Sequence, residues 1–300
     1  VDRADDALAR AVRRSAGGAA VGAAVGAAVG GRRIAVVGAG WAGLAAAVRL
    51  VQGGARVSLL ELARRPGGRA RQAAGAARAF DNGQHILIGA YSATLALMHT
   101  VGVDADRLLW RQPLALVDPA GRGLRLPPGA PLPAFVRAVL GANHWRWADR
   151  LALLAAAGGW LRRRFRCPAH WSVQTLCRRL PPAVQQQLID PLCVAALNTP
   201  MAQASAQVFL RVLQDALFSG RGSADLLLPR APLSALLPDP AWLWLADAGA
   251  SVQAGRRVGM LAPAGSGWQL DGEAFDAVVL ACSSHEAARL AAAANPAWAA

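Results

Sequence analysis

Continuous apolar runs and helix-spaced apolar positions divide this chain. The runs at 34–37 and 57–60 read as buried strands, and the helix-forming stretch between them, 44–51, is stopped by Gly53 and Gly54. A similar run at 275–282 predicts a buried parallel strand, with weaker strand signals at 251–253, 257–258 and 267–270. Helices are predicted at 233–248 and at about 285–294. Between about 111 and 222 the pattern changes. Proline turns at Pro127, Pro128, Pro131 and Pro133 introduce helical spacing at 134–140, 147–165, 172–179, 182–197 and 203–217. The first 31 residues carry no such pattern: arginines, then a Val-Gly-Ala-Ala repeat, imitate a signal peptide but are too glycine-rich and short to span a bilayer. They are expected to be a disordered leader.

The first strand–helix–strand unit carries the chemistry. Gly38, Gly40 and Gly43 stand in G-x-G-x-x-G spacing where strand turns into helix, around Trp41 and Ala42, and the second strand ends on Glu61. Gly38 permits the tight turn, Gly40 lets a pyrophosphate approach the backbone, and Gly43 lets helix and strand pack closely. The helix N-terminus presents free N–H groups and a positive dipole end to phosphate. Glu61 is placed to accept hydrogen bonds from a ribose diol. This unit predicts a dinucleotide without choosing NAD from FAD. Directly after the acid, Arg65, Gly67, Gly68 and Arg69 form a second turn where backbone N–H groups and guanidinium charge meet an anion, the alternative being a solvated basic turn.

Composition removes several classes. The 32 basic residues against 18 acidic ones give a net charge of +14, and every basic residue is arginine. Without lysine there is neither a Schiff-base residue nor a P-loop lysine, which excludes pyridoxal enzymes and Walker-type NTPases. The charge attracts polyanions, but no zinc-finger spacing or nucleic-acid motif accompanies it, so no nucleic-acid partner is expected. An apolar fraction of 54% is inflated by alanine and is no membrane signal by itself. Cys167, Cys177, Cys193 and Cys282 contain no C-x-x-C pair and read as reduced, mostly buried thiols of a cytoplasmic protein. His85, His99, His144, His170 and His285 form no metal-binding set, so no metal is expected. No G-x-S-x-G elbow supports serine catalysis.

The ordered set of motifs then becomes specific. The glycine turn, Glu61, the Arg65-x-Gly67-Gly68-Arg69 run and Phe80-Asp81-x-Gly83-x-His85 resemble the FAD-dependent amine oxidase and phytoene desaturase superfamily. Within it, the run from Asp81 to Tyr91 (DNGQHILIGAY) is similar to the squalene-associated desaturases of bacterial hopanoid synthesis. The segments at 190–200 (DPLCVAALNTP), 204–209 (ASAQVF) and 225–230 (DLLLPR) resemble the same group. The resemblance implies an α/β fold, a Rossmann-like FAD domain built from residues 32–110 and 223–300, with an inserted, mainly helical substrate domain at 111–222. It implies that Gly83 and Gln84 lie near the flavin and the backbone of Val258 near the adenine. By resemblance His85 stands close to the isoalloxazine, where it either assists departure of a hydroxyl or is held for structure. Asp81 is either a second proton-handling group or an anchor for its loop.

The implied reaction is reductive removal of the allylic hydroxyl of hydroxysqualene beside reduced FAD, in an apolar tunnel. The alternatives are desaturation of a phytoene-like polyene, or a non-catalytic protein that binds a membrane or a partner. The arginine-rich stretch with Trp145, Trp147, Trp160 and Phe165 reads equally as an interface helix on an anionic membrane or as core aromatics beside a solvated charged face. The first of these implies a peripheral position on the inner face of the cytoplasmic membrane, and the pathway implies contact with upstream squalene-pathway synthases. The group continues past the point matching Ala300 with a Gly-Asp-type segment and a last helix, so the chain is expected to be C-terminally truncated.

Overall fold

A computed structural model describes residues 30–73, 80, 81, 83, 85–295 and 297. Most of the leader, and Gln84, lie outside the described residues.

The described residues open with β1 (Arg33–Val37), α1 (Trp41–Gln52) and β2 (Arg56–Glu61), followed by the short strands β3 (Gln72–Ala73), β4 (Phe80–Asp81) and β5 (Leu87–Ile88). Next come α2 (Ser92–Thr100), α3 (Ala105–Leu108), β6 (Leu109–Gln112), β7 (Ala115–Val117) and β8 (Gly123–Arg125). The helices α4 (Pro131–Leu140), α5 (Trp147–Arg162), α6 (Val173–Cys177) and α7 (Pro182–Val184) lead through a π-helical turn, Gln185–Ile189, into α8 (Asp190–Leu197) and α9 (Ala206–Phe218). After β9 (Leu226–Pro229) come α10 (Leu233–Leu236), α11 (Pro238–Asp247), β10 (Ser251–Ala254), β11 (Leu261–Ala264), β12 (Gly267–Leu270), β13 (Glu273–Phe275), β14 (Ala277–Leu280) and α12 (Ser284–Ala294).

Two compact units result. The first comprises Val1–His85, Ser92–Leu109 and Pro229–Ala300. Its sheet is parallel, in the order β10-β2-β1-β14, with Ile34 opposite both Val57 and Ala277. β1 lies inside the sheet, and Ile34, Ala35, Val36 and Val37 are buried, as their continuous apolar run requires. β14 carries a similar run but is half-buried, because it is an edge strand of this sheet. A three-stranded antiparallel meander, β11-β12-β13, follows, its second turn taking positive φ at Asp271 and Gly272, the residue pair such a turn favours.

Two expectations in this unit change. The helix expected at 233–248 is broken at Leu237 (φ −150°), since Pro238 disfavours helical geometry in the residue before it. Arg257 and Val258 form no strand. Val258 instead packs from a loop into a cluster with Val37, Leu60, Leu270 and Phe275, and its carbonyl accepts a 2.7 Å bond from Arg289.

The second unit comprises Ile86–Tyr91 and Trp110–Leu228. It has one apolar core, contributed mainly by α4, α5, α9 and the segment between α6 and α8. The expected helix at 182–197 is continuous but widens through one π turn: Asp190 N–H donates to the Gln185 carbonyl, and Pro191, which has no N–H, follows just beyond it. The hairpin β7–β8, which the helical reading of this region does not contain, packs its Leu124 into the core. Trp145, Trp160 and Phe165 are buried and only Trp147, at 64% exposure, faces solvent. Three of the four aromatics in the basic stretch therefore belong to the core, and Trp145 Nε1 donates to Gln187 at 2.8 Å.

Candidate functional site

The C-terminal ends of β1, β2 and β14 converge on the glycine turn. Gly38 has φ +103°, and a Cβ there would meet the Ala281 carbonyl oxygen at 2.7 Å. A Cβ on Gly43 would lie 1.8 Å from the Gly38 oxygen. Both positions are closed by backbone, so only glycine fits them. Gly40 differs: no atom lies within 4 Å of a Cβ built there. It caps α1, whose first turn holds no acid, and the N–H groups of Trp41, Ala42 and Gly43 precede the first intrahelical bond, Leu44 N–H to Gly40. Open ground beside three unclaimed helical donors is a receptor for an anion. The Trp41 indole Nε1 is buried at this helix end and has no hydrogen-bond partner among the described residues.

Glu61 is buried at 8% exposure and holds the turn from below. One carboxylate oxygen accepts Ala39 N–H at 2.6 Å and the other accepts Ala63 N–H at 2.8 Å. The acid expected to meet a ribose is therefore also a clamp on the loop, with lone pairs left on both oxygens. The second glycine turn sits against the first. Gly67 N–H donates to the Ala39 carbonyl at 2.7 Å, and a Cβ on Gly68 would lie 3.4 Å from Gly40 Cα. Gly67 and Gly68 both take positive φ, 112° and 55°. Arg65 and Arg69 are exposed and form no ion pair among the described residues.

Gly83 approaches this turn, with the Arg69 carbonyl 3.7 Å from where its Cβ would be. Asp81 is an anchor: its two oxygens accept the Leu233 N–H at 3.1 and 3.2 Å, tying β4 to the start of α10. His85 is exposed. Gly38, Gly40, Gly43, Glu61, Gly67, Gly68, Arg69 and Gly83 thus come together, while Asp81 is engaged elsewhere. Val258 contributes from beneath, through the core it shares with Val37 and Leu60.

Ala281 and Cys282 form a wall of the site that motif reasoning passes over. Ala281 N–H donates to Val37, and its Cβ would lie 3.2 Å from one on Gly43. Burial pushes the Cys282 thiol up, and the Glu286 and Glu61 carboxylates add to this, so it stays protonated. The available signal was positional: the residues ending a strand of an open parallel sheet border its ligand crevice.

The second unit holds an apolar cavity of about 30 Å³, lined among others by Leu124, Phe135, Leu153, Trp160, Leu188 and Leu213.

Residues 41–300 match the model of the flavin-containing amine oxidoreductases. A hydroxysqualene dehydroxylase from Rhodopseudomonas palustris is 30% identical over 285 residues, 86% of this chain and 63% of that protein. Among solved structures, an oxidoreductase from Methanosarcina mazei aligns with a TM-score of 0.65 at 16% identity, covering 88% of this chain and 61% of its own. A putrescine oxidase bound to putrescine aligns at 0.55 with 19% identity, covering 86% and 60%. The chain therefore spans under two thirds of the length of these relatives. The glycine turns and the family model agree, and the chain belongs to the flavin-containing amine oxidoreductase family, whose cofactor is FAD.

Proposed function

We propose that the protein is an FAD-dependent oxidoreductase that removes the allylic hydroxyl of hydroxysqualene reductively, giving squalene. The observation that supports the substrate is the 30% identity to a hydroxysqualene dehydroxylase, sustained over 285 residues. The open ground at Gly40, flanked by glycines that backbone contact makes obligatory, supports the cofactor.

When bound, FAD supplies two-electron redox chemistry. In this reading the N–H groups of Trp41, Ala42 and Gly43, beside the open ground at Gly40, would hold the pyrophosphate, with Gly38 shaping the turn. The remaining Glu61 lone pairs take the ribose hydroxyls. Gly67 and Gly68 offer backbone N–H groups, and Arg65 and Arg69 offer charge. Gly83 and Gln84 border the flavin, and the loop at Val258 borders the adenine. His85 would give a proton from a ring nitrogen to the departing hydroxyl, which leaves as water, and the hydride that replaces it at carbon is the two-electron equivalent a reduced FAD would supply. Asp81, already bonded to Leu233, positions the loop rather than moving a proton.

The wholly apolar cavity of the second unit supports a hydrocarbon substrate. At about 30 Å³ it holds a water or two, so an isoprenoid chain enters only if lining side chains move aside. No described helix is long and apolar enough to cross a membrane. The exposed Trp147 and Leu151 support a peripheral position on an anionic bilayer, where such a lipid resides.

The test is anaerobic incubation of the flavin-loaded, reduced chain with hydroxysqualene. Squalene is the expected product. A flavin-loaded chain that yields none would sink the reading, and new double bonds formed from a phytoene-like substrate would move the protein to the desaturases.

A further inference from the structure

The second unit has a cleft that the flavin reading does not use. It measures about 400 Å³, and its polar lining is Arg122, Arg125, Arg137, Asn143 and His144, the remainder being glycine, proline and alanine. No carboxylate among the described residues lines it. From 118 to 150 the sequence carries five arginines against two aspartates. Both aspartates are engaged. Asp118 accepts the Arg122 backbone N–H at 2.9 Å and its side-chain Nε at 2.8 Å, while Asp149 accepts the Arg146 N–H at 3.1 Å.

The Asp118 pair offsets the Arg122 charge, whereas Arg125 and Arg137 have no ion pair among the described residues. Asp118 fixes the Arg122 guanidinium by one edge and leaves Nη1 uncommitted. Arg137 donates from Nη2 to the Pro128 carbonyl at 3.2 Å, which leaves its other nitrogens. The ribbon that carries Arg122 and Arg125 is held tight, since a Cβ on Gly123 would lie 2.0 Å from the Leu116 carbonyl oxygen. His144 reports the same potential: burial, and then the Arg122 charge, hold its imidazole below the usual range. Three guanidinium groups facing one cavity with an amide and an imidazole match the geometry of phosphate oxygens.

We propose that this cleft binds a phosphate-monoester or diphosphate group. Its rim favours a phospholipid headgroup as the source. Leu140, next to the lining residue Gly141, is 38% exposed, Trp147 64% and Leu151 58%. Arg150 joins them to the cleft, donating to the Leu140 carbonyl at 2.7 Å with its guanidinium carbon 4.7 Å from the Trp147 ring centre. Apolar side chains beside a phosphate receptor suit a bilayer surface better than a soluble anion.

The experiment has two arms on the full chain, with flavin absorbance and Tm recorded for every variant. Inorganic pyrophosphate is titrated calorimetrically, and sedimentation is measured with phosphatidylcholine vesicles with and without phosphatidic acid. Phosphatidate-dependent sedimentation is expected, weakened about tenfold by either Arg125→Ala or Arg137→Ala, largely kept by Arg125→Lys, and lost at high salt. Pyrophosphate binding that needs the same arginines, without sedimentation, would retain the cleft and assign it a soluble ligand. Neither form of binding, or binding unchanged in both alanine variants with native Tm, would overturn the proposal. So would vesicle binding lost in Trp147→Ala yet indifferent to phosphatidate. Because neither arm reads turnover, failure here leaves the redox reading standing.

Discussion

The glycine turn of the first unit and the arginine cleft of the second are both shaped for anions, but they are built differently. Around Gly38 and Gly43 the walls are main chain: Gly38, Ala281 and the N-terminus of α1 touch one another with no side chain between them. Around the cleft the walls are side chains, held by bonds such as Arg122 to Asp118 and Arg137 to Pro128. A site made of backbone tolerates almost no substitution at its contact points and leaves a rigid spacing in the sequence. A site made of long side chains tolerates more and leaves only composition.

The comparison breaks most visibly at Gly43. Gly43→Ala sets a Cβ 1.8 Å from a carbonyl oxygen that cannot move alone, so a loss above about 3 kcal/mol is expected in denaturant unfolding, with flavin absent from the purified protein. Gly40→Ala sharpens the point by contrast. Its Cβ meets no atom within 4 Å, so stability should hold while flavin retention falls, because the methyl group enters the open ground proposed for the pyrophosphate. Equal loss of stability in both variants would contradict the division between closed and open glycines.

In the second unit, Arg150 is the side chain on which local geometry hangs. It is 6% exposed and donates to both the Trp145 and Leu140 carbonyls. Arg150→Met should cost about 2–3 kcal/mol in unfolding experiments, since a buried carbonyl and a half-buried one lose a charged donor. Glu61→Gln tests the backbone-built site from its one side-chain member. A glutamine keeps one of the two N–H acceptors, so about 1–2 kcal/mol is expected, together with weaker flavin retention. A variant with full stability and weak retention would make Glu61 a cofactor ligand only.

The smallest effect is a pH response at His144. Burial, Arg122 and Arg150 lower its pKa against the opposing pull of Asp118. The unfolded chain therefore takes up this proton first as pH falls. The contribution to stability is complete above the ordinary histidine value near 6.5 and declines below it, down through the folded value. NMR titration of the imidazole should give a midpoint below 6.5, and His144→Gln should flatten that part of the stability profile.

The parallel sheet and the glycine turns were legible in the sequence because continuous apolar runs and fixed glycine spacing are direct imprints of β1, β2 and α1. What escaped notice came from contacts made at a distance. Nothing local marks Ala281 and Cys282 as a wall of the turn, since their role arises when β14 pairs with β1. The two N–H groups that occupy Glu61 are likewise invisible until the loop folds over it. In the helical unit, spacing located the helices within a few residues but could not sort Trp145, Trp160 and Phe165, which join the core, from Trp147, which faces solvent. Only Trp147 and Trp160 lie on α5, and Trp145 and Phe165 flank its ends. The break at Leu237 was readable from Pro238, where the long apolar pattern outweighed the stronger local rule.

The hydrogen bond from Gly67 to Ala39 has a consequence for kinetics of exchange. It spans two turns that both face the cofactor ground, so neither has to be organised when the ligand arrives. Ordering already completed during folding does not oppose binding. The Gly67 amide, bonded to the Ala39 carbonyl, and the Ala39 amide, bonded to Glu61, should accordingly resist deuterium in the flavin-free chain, opening only with the surrounding sheet, and loading with FAD should slow them little. Amides of the Arg65 to Arg69 turn that lack such a tie should show the larger protection on loading.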